Sequence, residues 1–286
     1  MTNEQTLEFL TTAANQHASD IFIIAGRPLS IKVDGHLTDY GERLIPDDTK
    51  QILECIYQMA NNRDINHLLN TGDDDFSFSI PGLSRFRINA YKQRGSLAAV
   101  IRVIAFQLPD PSELSIPDDV MQTADYTKGM VLVTGSAGSG KSTTMACLID
   151  RINHSREGHI ITLEDPLEYL HRHNRCIVSQ REICTDTENY LTSLRATLRQ
   201  SPDVILLGEM RDHETIQTAM TAAETGHLVL SSLHTLGAAN SISRIIDVFE
   251  PAQQHQIIVQ LSMVLQAVIS QQLIPDVNGK VIPVFE

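Results

Sequence analysis

One octapeptide in the middle of the chain has the residue types and spacing of a phosphate-binding loop. Residues 135–142 match the pattern GxxxxGK[ST], follow an apolar run and precede a stretch with helical spacing. Glycines let successive backbone N–H groups turn toward phosphate oxygens, and the start of a helix adds partial positive charge. A Gly/Ser-rich turn is the alternative, but it leaves the order of strand, loop, lysine, serine and helix unexplained. The predicted phosphate-binding residues are Gly135, Ser136, Ala137, Gly138, Ser139, Gly140, Lys141, Ser142 and Thr143.

Two of these residues have specific expected roles toward a nucleoside triphosphate. The Lys141 ammonium is expected to reach the β- and γ-phosphates, and the Ser142 hydroxyl is expected to ligate Mg²⁺.

Carboxylates follow two later apolar runs. Glu164 follows residues 159–163, and Glu209 follows residues 204–207 after Gly208, which stands where a Walker B strand usually has Asp. Catalytic groups lie at the carboxyl ends of strands in open α/β sheets. We therefore expect Glu164 to orient or deprotonate the attacking water, and Glu209 to hold Mg²⁺ through water or to position the nucleophile. The alternative role for each is a helix N-cap.

Two histidines bracket a third apolar run. His227 begins it and His234 follows it. A neutral imidazole near a γ-phosphate can sense that phosphate, so a sensor role is expected for one of them. The alternative is a structural histidine that is hydrogen-bonded beside the strand.

The elements that must position these residues read as a parallel sheet covered on both faces. Apolar, β-branched runs alternate with helical spacing after residue 120, which is typical of this architecture. Strands are predicted at 130–134, 159–163, 204–207 and 227–232, and helices at 142–154, 189–199, 213–224 and 252–272.

The first hundred residues read differently. Strands are predicted at 20–25, 29–33, 76–80, 84–91 and 97–104, with a helix after Pro46, which makes a compact α+β module. Three prolines in residues 108–119 argue against continuous secondary structure there. The predicted domains are therefore 1–108 and 120–286, joined by a linker at 109–119.

Composition excludes several classes of protein. The 286 residues carry a formal net charge of -13, have 5% aromatic residues and contain no Trp, so a broad nucleic-acid footprint is not expected. No stretch approaches the roughly 18 apolar residues of a membrane span, so direct membrane insertion is not expected. The four cysteines form no CxxC pair and the first residues lack a secretory pattern, which predicts a reduced, cytoplasmic protein.

Several long motifs, in order along nearly the whole chain, resemble the secretion ATPases of type II secretion and type IV pili. Within that family they are most similar to the PilT-like retraction ATPases of twitching motility. The motifs occupy residues 18–37, 85–95, 135–142, 161–169, 179–183, 194–212 and 221–235.

The resemblance implies a homo-hexameric ring, in which an N-terminal PAS-like domain closes over ATP held by a RecA-like P-loop domain. It matches Glu164 to the family's catalytic carboxylate, Glu209 to the Walker B carboxylate and His227 to a His-box residue near the γ-phosphate. Glycine in place of the Walker B Asp is usual in this family. Arginines of the N-terminal domain commonly reach the phosphates in relatives, and the matching positions are Arg85, Arg87, Arg94 and Arg102.

The resemblance also implies partners and a place of action. Force would pass to pilin through an inner-membrane platform protein at the cytoplasmic face of the membrane, with other pilus ATPases as further partners. The absence of paired CxxC motifs and the short N-terminus favour the retraction branch over assembly or type II secretion ATPases. Relatives continue beyond the position of Glu286 with a helical region, so a C-terminal helical region is expected to be missing. A RecA-like nucleic-acid motor and a nucleotide-binding ring subunit with little turnover are the alternatives.

Overall fold

The structure is a computed structural model that describes residues 1–33, 35–104, 108–275 and 281–286. It divides into two compact units, Met1–Phe106 and Gln107–Glu286. Residues 109–119, the predicted linker, fall in the second unit, where Ile116 is buried in a hydrophobic core. The exact domain limits stay a prediction.

In its described residues, the first unit is a six-stranded antiparallel sheet with three helices. The strand order is β3-β2-β1-β6-β5-β4. Its strands are β1 (Asp20–Ile23), β2 (Leu29–Val33), β3 (His36–Tyr40), β4 (Asp73–Ile80), β5 (Ser84–Gln93) and β6 (Ser96–Ile104). Its helices are α1 (Asn3–Asn15), α2 (Pro46–Met59) and α3 (Asn66–Thr71).

Alternation along β5 shows how the sequence forms this sheet. Phe86 and Ile88 are fully buried in the core, whereas Arg85 and Arg87, which alternate with them, are only partly buried. Successive side chains of a strand point to opposite faces, so this pattern places the two arginines on the face away from the core.

The second unit is built on a seven-stranded sheet. The strand order is β13-β12-β7-β11-β10-β8-β9, and all neighbours are parallel except β13, which pairs antiparallel with β12. The strands are β7 (Gly129–Thr134), β8 (Gly158–Glu164), β9 (Cys176–Glu182), β10 (Val204–Leu207), β11 (Leu228–Leu233), β12 (Leu265–Pro275) and β13 (Val281–Phe285). The helices are α4 (Asp118–Gln122), α5 (Lys141–Ser155), α6 (Tyr190–Thr197), α7 (His213–Glu224), α8 (Ala238–Asp247) and α9 (Pro251–Val264).

Both faces of this sheet are covered. Alternate residues of β7 divide between two cores: Met130 and Leu132 pack with residues of α6 to α9, and Val131 and Val133 pack with residues of α4 and α5. A strand buried on both faces has no polar alternation, which is why β7, β10 and β11 read as continuous apolar runs.

The helix predicted at 252–272 is wrong in its second half. Helix α9 ends at Val264, and residues 265–275 form β12, which pairs with β7. Pairing with the buried central strand outweighs the local helical spacing, and β-branched Val268 and Ile269 suit a strand. Helix α8 and strand β9 were also not predicted.

In the parts of the chain that the structure describes, no helix combines the length and the apolar character needed to cross a membrane.

Candidate active site

One cavity of about 250 Å³ opens where the carboxyl ends of the central parallel strands meet the loop after β7. Because β8, β10, β11 and β7 run parallel, the residues that follow them come to the same edge of the sheet. The active-site cavity is lined by Ala137, Gly138, Lys141, Ser142, Met145, Ala146, Glu164, Asp165, Pro166, Glu168, His171, Tyr190, Leu206, Gly208, Glu209, Ser232 and His234.

Lys141 is held inside the loop by two backbone carbonyls. It is 7% exposed, and its Nζ donates to Gly135 O at 3.0 Å and to Ser136 O at 2.8 Å. Burial lowers the pKa of its ammonium, against the opposite effect of Glu168 and Glu209. The ammonium therefore lies in the cavity wall, and a phosphate would replace carbonyl partners that it already has.

Gly135 and Gly140 of the loop are needed because β12 lies directly against it. A Cβ on Gly135 would come 2.2 Å from Gln271 O, and one on Gly140 would come 2.7 Å from Gln271 Nε2. Gln271 also accepts a hydrogen bond of 2.8 Å from Thr144 Oγ1 in the first turn of α5. Strand β12 thus fixes the loop from behind, a role that the sequence did not reveal.

Glu164 ends β8 and faces the cavity. Burial raises the pKa of its carboxyl to about 7, with a further increase from Glu168 and Glu182 and an opposing effect of Thr162 and Gln180. A carboxyl with a pKa near neutrality is suited to accept a proton from water at working pH.

Glu209 lies between two basic side chains. It is 9% exposed, its Oε1 is 2.6 Å from Arg211 Nη2, and its Oε2 is 3.4 Å from His234 Nε2. Its Oε2 is nevertheless buried without a hydrogen-bond partner. A buried carboxylate oxygen that lacks a donor is available to a cation or to a water bound to one.

The cavity therefore fits a magnesium ion that takes one or two oxygens from the protein and its remaining ligands from water and phosphate. Glu209 and Ser142 both face it, whereas no group of three or more His, Cys, Asp or Glu side chains within the described residues is arranged to hold a metal. Mg²⁺ commonly uses one or two protein oxygens and completes its shell with water and phosphate.

The structure separates the two histidines. His234 lines the cavity. His227 lies at the opposite end of β11, where its Nδ1 is 2.9 Å from Ala222 O and 3.2 Å from Thr225 Oγ1. Since β11 pairs with β7 in parallel from Leu228 opposite Gly129, His227 is a strand length away from the phosphate loop. The expectation that His227 lies near the γ-phosphate is therefore corrected. The histidine that lines the cavity is His234, and His227 contacts Ala222 and Thr225 instead.

The four arginines that were considered for phosphate binding all belong to the first unit. Arg87 makes two hydrogen bonds to Asp75, at 2.7 and 3.2 Å, and Arg102 lies 3.6 Å from Asp20. Arg94 is exposed in the two-residue turn between β5 and β6, and Arg85 is partly buried in β5. Their contact with ATP stays a prediction.

Tyr190 is a lining residue that the sequence did not indicate. A Cβ on Gly208 would come 2.8 Å from the Tyr190 hydroxyl oxygen, so the phenol occupies the space that an Asp side chain at position 208 would need. Burial raises the pKa of Tyr190, and the carboxylates Glu209, Asp165 and Glu164 add to that effect, so the phenol stays neutral. The sequence signal was Gly208 at the position where a Walker B strand usually has Asp. Tyr190, which fills that space, lies 18 residues away along the chain.

A second, largely apolar cavity of about 260 Å³ lies on the other side of the first turn of α5. It includes Gly140 and Thr143, which were predicted to bind the cofactor, and the partly exposed apolar side chain of Leu273. This apolar cavity is lined by Glu113, Leu114, Ser115, Ile116, Gly140, Thr143, Thr144, Gln271, Leu273, Val281, Ile282 and Pro283.

Comparisons with known proteins agree with this geometry. The sequence pattern of the family described as type II/IV secretion system protein matches residues 3–281. The chain is 43% identical to the type IV pilus retraction ATPase PilT of Pseudomonas aeruginosa, over 95% of this chain and 78% of that protein. It is 40% identical to a twitching motility protein of Neisseria gonorrhoeae, over 96% of this chain and 74% of that protein.

A solved structure has the same fold. The crystal structure of the pilus retraction motor PilT with bound ADP superimposes with a TM-score of 0.88 at 44% identity, covering 98% of this chain and 81% of that one. The likeness confirms the predicted fold class, an α+β N-terminal unit followed by a P-loop unit with a mostly parallel sheet, and the structure adds that the N-terminal sheet is antiparallel. By its sequence along nearly its whole length and by its fold, the chain belongs to the type II/IV secretion system protein family.

Proposed function

We propose that this chain is an ATP-hydrolysing motor subunit of the type IV pilus machinery and that it drives pilus retraction. One observation carries the proposal: Lys141 and Ser142 of a phosphate loop face the same cavity as Glu164, Glu209 and His234. The similarity to retraction ATPases over almost the whole chain supports the choice of machine.

Each of these side chains has a proposed step in hydrolysis. Lys141 exchanges its two carbonyl partners for phosphate oxygens and neutralises their charge. Glu164, with its pKa near 7, orients the attacking water and accepts its proton. His234, 3.4 Å from Glu209, donates to the terminal phosphate or to that carboxylate. Mg²⁺ bound beside Ser142 and Glu209 would supply charge neutralisation on the phosphoryl group.

The apolar cavity is suited to the base of the nucleotide. It touches Thr143 and Gly140 at the start of α5, on the side away from the carboxylates. Nucleotide pockets are mostly apolar with a few polar groups, and Ser115 and Gln271 provide such groups here. ATP would thus lie across the first turn of α5, with its base in the apolar cavity and its terminal phosphate among the carboxylates.

The proposed assembly is a homo-hexamer docked at the cytoplasmic face of the inner membrane through a platform protein. Other pilus ATPases are further proposed partners. The family membership and the solved relatives support a multimeric ATPase, and Arg85, Arg87, Arg94 or Arg102 would add positive charge at the phosphates.

Complementation tests the choice of machine. The chain is expressed in a bacterium that makes type IV pili but lacks its own retraction ATPase, and the twitching zone is measured. We expect twitching to return with the intact chain and not with Lys141→Ala. Restored pilus assembly in an assembly mutant, without any restored twitching, would favour the assembly ATPase instead.

A nucleic-acid motor is separated by its response to DNA. We expect single-stranded DNA to leave ATP turnover unchanged, because the chain has a net charge of -13. Strong stimulation of turnover by DNA would contradict the proposal.

A further inference from the structure

A third cavity, of about 350 Å³, lies beside the active-site cavity. This side cavity is lined by Glu209, Met210, Arg211, Ile216, Ser232, Leu233, His234, Thr235, Arg244, Ile245 and Val248. Nothing in the family motifs assigns it a ligand.

The two cavities share a thin wall. Glu209, Ser232 and His234 line both of them. In that wall His234 Nε2 lies 3.4 Å from Glu209 Oε2, and that oxygen has no hydrogen-bond partner. A small rotation of the His234 side chain would therefore widen this contact without breaking a hydrogen bond at that oxygen, and Glu209 could keep its ion pair with Arg211.

The side cavity carries positive charge in a chain that is acidic overall. Arg211 contributes a guanidinium that is already paired with Glu209. Arg244, in the last turn of α8, is exposed and has no ion pair among the described residues. Arginine presents its donors in a planar fork that matches the oxygens of a phosphate.

The other polar groups of the side cavity are already engaged. Ser232 Oγ donates to Gly208 O at 2.6 Å, and Thr235 Oγ1 lies 2.6 Å from Ser241 Oγ. The remaining donors that face the opening are the two guanidinium groups and the His234 imidazole. The floor is apolar, with buried Leu233 and Ile245, and low-dielectric walls strengthen the attraction of such donors for an anion.

We propose that the side cavity binds inorganic phosphate after hydrolysis, with Arg244 as its main ligand, and that phosphate leaves the active site through it. This inference rests on the proposed function, because ATP hydrolysis is the source of the phosphate. The cleaved phosphate is formed on the far side of the wall of Glu209 and His234, and ADP still occupies the phosphate loop. A cationic opening directly behind that wall offers the anion a path that does not require ADP to leave first.

The test is the affinity of the ADP-saturated protein for inorganic phosphate, measured by titration calorimetry. Arg244→Gln is compared with Arg195→Gln, because both arginines are exposed and both lie in the last turn of a helix. We expect the dissociation constant for phosphate to rise about fivefold or more in Arg244→Gln, partial recovery in Arg244→Lys, and the unmutated value in Arg195→Gln.

Two results would overturn the inference. One is a phosphate affinity that is equal in the unmutated protein and in Arg244→Gln. The other is an unmutated, ADP-saturated protein that binds no phosphate. ATP cleavage is assayed separately by acid quench, so that either result with cleavage intact removes the side cavity as a phosphate site and leaves the proposed ATPase function standing.

Discussion

At the residue scale, the proposed chemistry depends on side chains whose pKa is shifted by desolvation. Lys141 is buried against carbonyls, and the carboxyl of half-buried Glu164 has its pKa raised to about 7 by desolvation. The pattern GxxxxGK[ST] indicated Lys141 and Ser142, and Glu164 and Glu209 were indicated by the apolar runs that end shortly before them. The residues alone left His227 and His234 open and the family resemblance matched His227, because the strand has a histidine at each end and only the parallel register shows which end faces the loop.

Lys141→Ala should abolish nucleotide binding. The ammonium is the only lysine nitrogen among the residues that line the active-site cavity, and its loss removes the positive charge that faces the phosphates. We expect ATP affinity and turnover to fall by about 100-fold or more, measured with a fluorescent ATP analogue and by phosphate production. Lys128→Ala, an exposed lysine before β7, serves as the control and should behave as the unmutated protein.

Glu164→Gln should remove the acidic limb of the pH profile. Below a pKa of about 7 the Glu164 carboxyl is protonated and cannot accept a proton, so kcat/KM should rise with pH through that region in the unmutated protein. In Glu164→Gln we expect turnover about 100-fold lower and independent of pH there. Glu157→Gln, at an exposed carboxylate, is the control. An unmutated rate in Glu164→Gln would exclude Glu164 as the base.

Gly208→Ala should be harmful because of Tyr190. The new Cβ would lie 2.8 Å from the phenol oxygen, which forces Tyr190 or the Glu209 backbone to move. We expect turnover to fall about tenfold, consistent with roughly 1–3 kcal/mol of overpacking. The double variant Gly208→Ala/Tyr190→Phe lacks that oxygen. Its turnover should therefore be close to that of Tyr190→Phe alone. A double variant as slow as Gly208→Ala would show that the phenol oxygen is not the cause.

At the scale of elements, the phosphate loop connects β7 to α5 and packs against β12. The sequence predicted β7 and α5, because a buried strand and a loop with a lysine at a helix start are local patterns. It did not predict β12, because residues 265–275 form a strand through long-range pairing with β7. That pairing places Gln271 beside the loop, where it accepts a hydrogen bond from Thr144. Antiparallel β13 and the register of the sheet could not be predicted either, because they too depend on pairing between distant segments of the chain.

Two glycines of the loop should therefore differ in their tolerance to alanine. At Gly135 a Cβ meets Gln271 O at 2.2 Å, whereas at Gly138 nothing lies within 4 Å and only the positive φ of 75° opposes a side chain. We expect Gly138→Ala to cost about 1 kcal/mol and Gly135→Ala about 2–4 kcal/mol of folding free energy. The midpoints of thermal unfolding measure both. Equal losses would mean that β12 does not support the loop.

At the scale of the whole molecule, two separately packed units carry different parts of the proposed function. The first unit has its own core and holds Arg85, Arg87, Arg94 and Arg102, and the second holds the complete phosphate loop with its carboxylates. The overall fold class followed from two local patterns, strands with alternation in the first unit and buried runs with helices in the second. The proposed action in a ring draws on the resemblance to the family and not on any single residue.

The most direct test is phosphate production from ATP and Mg²⁺ by the purified chain, measured over a range of protein concentrations. We expect steady turnover that increases per subunit as the ring assembles, and that disappears in Glu209→Gln at every concentration. Turnover that is absent from the unmutated chain when it is assembled, or that persists in Glu209→Gln at the unmutated rate, would contradict the account of a single hydrolytic cavity.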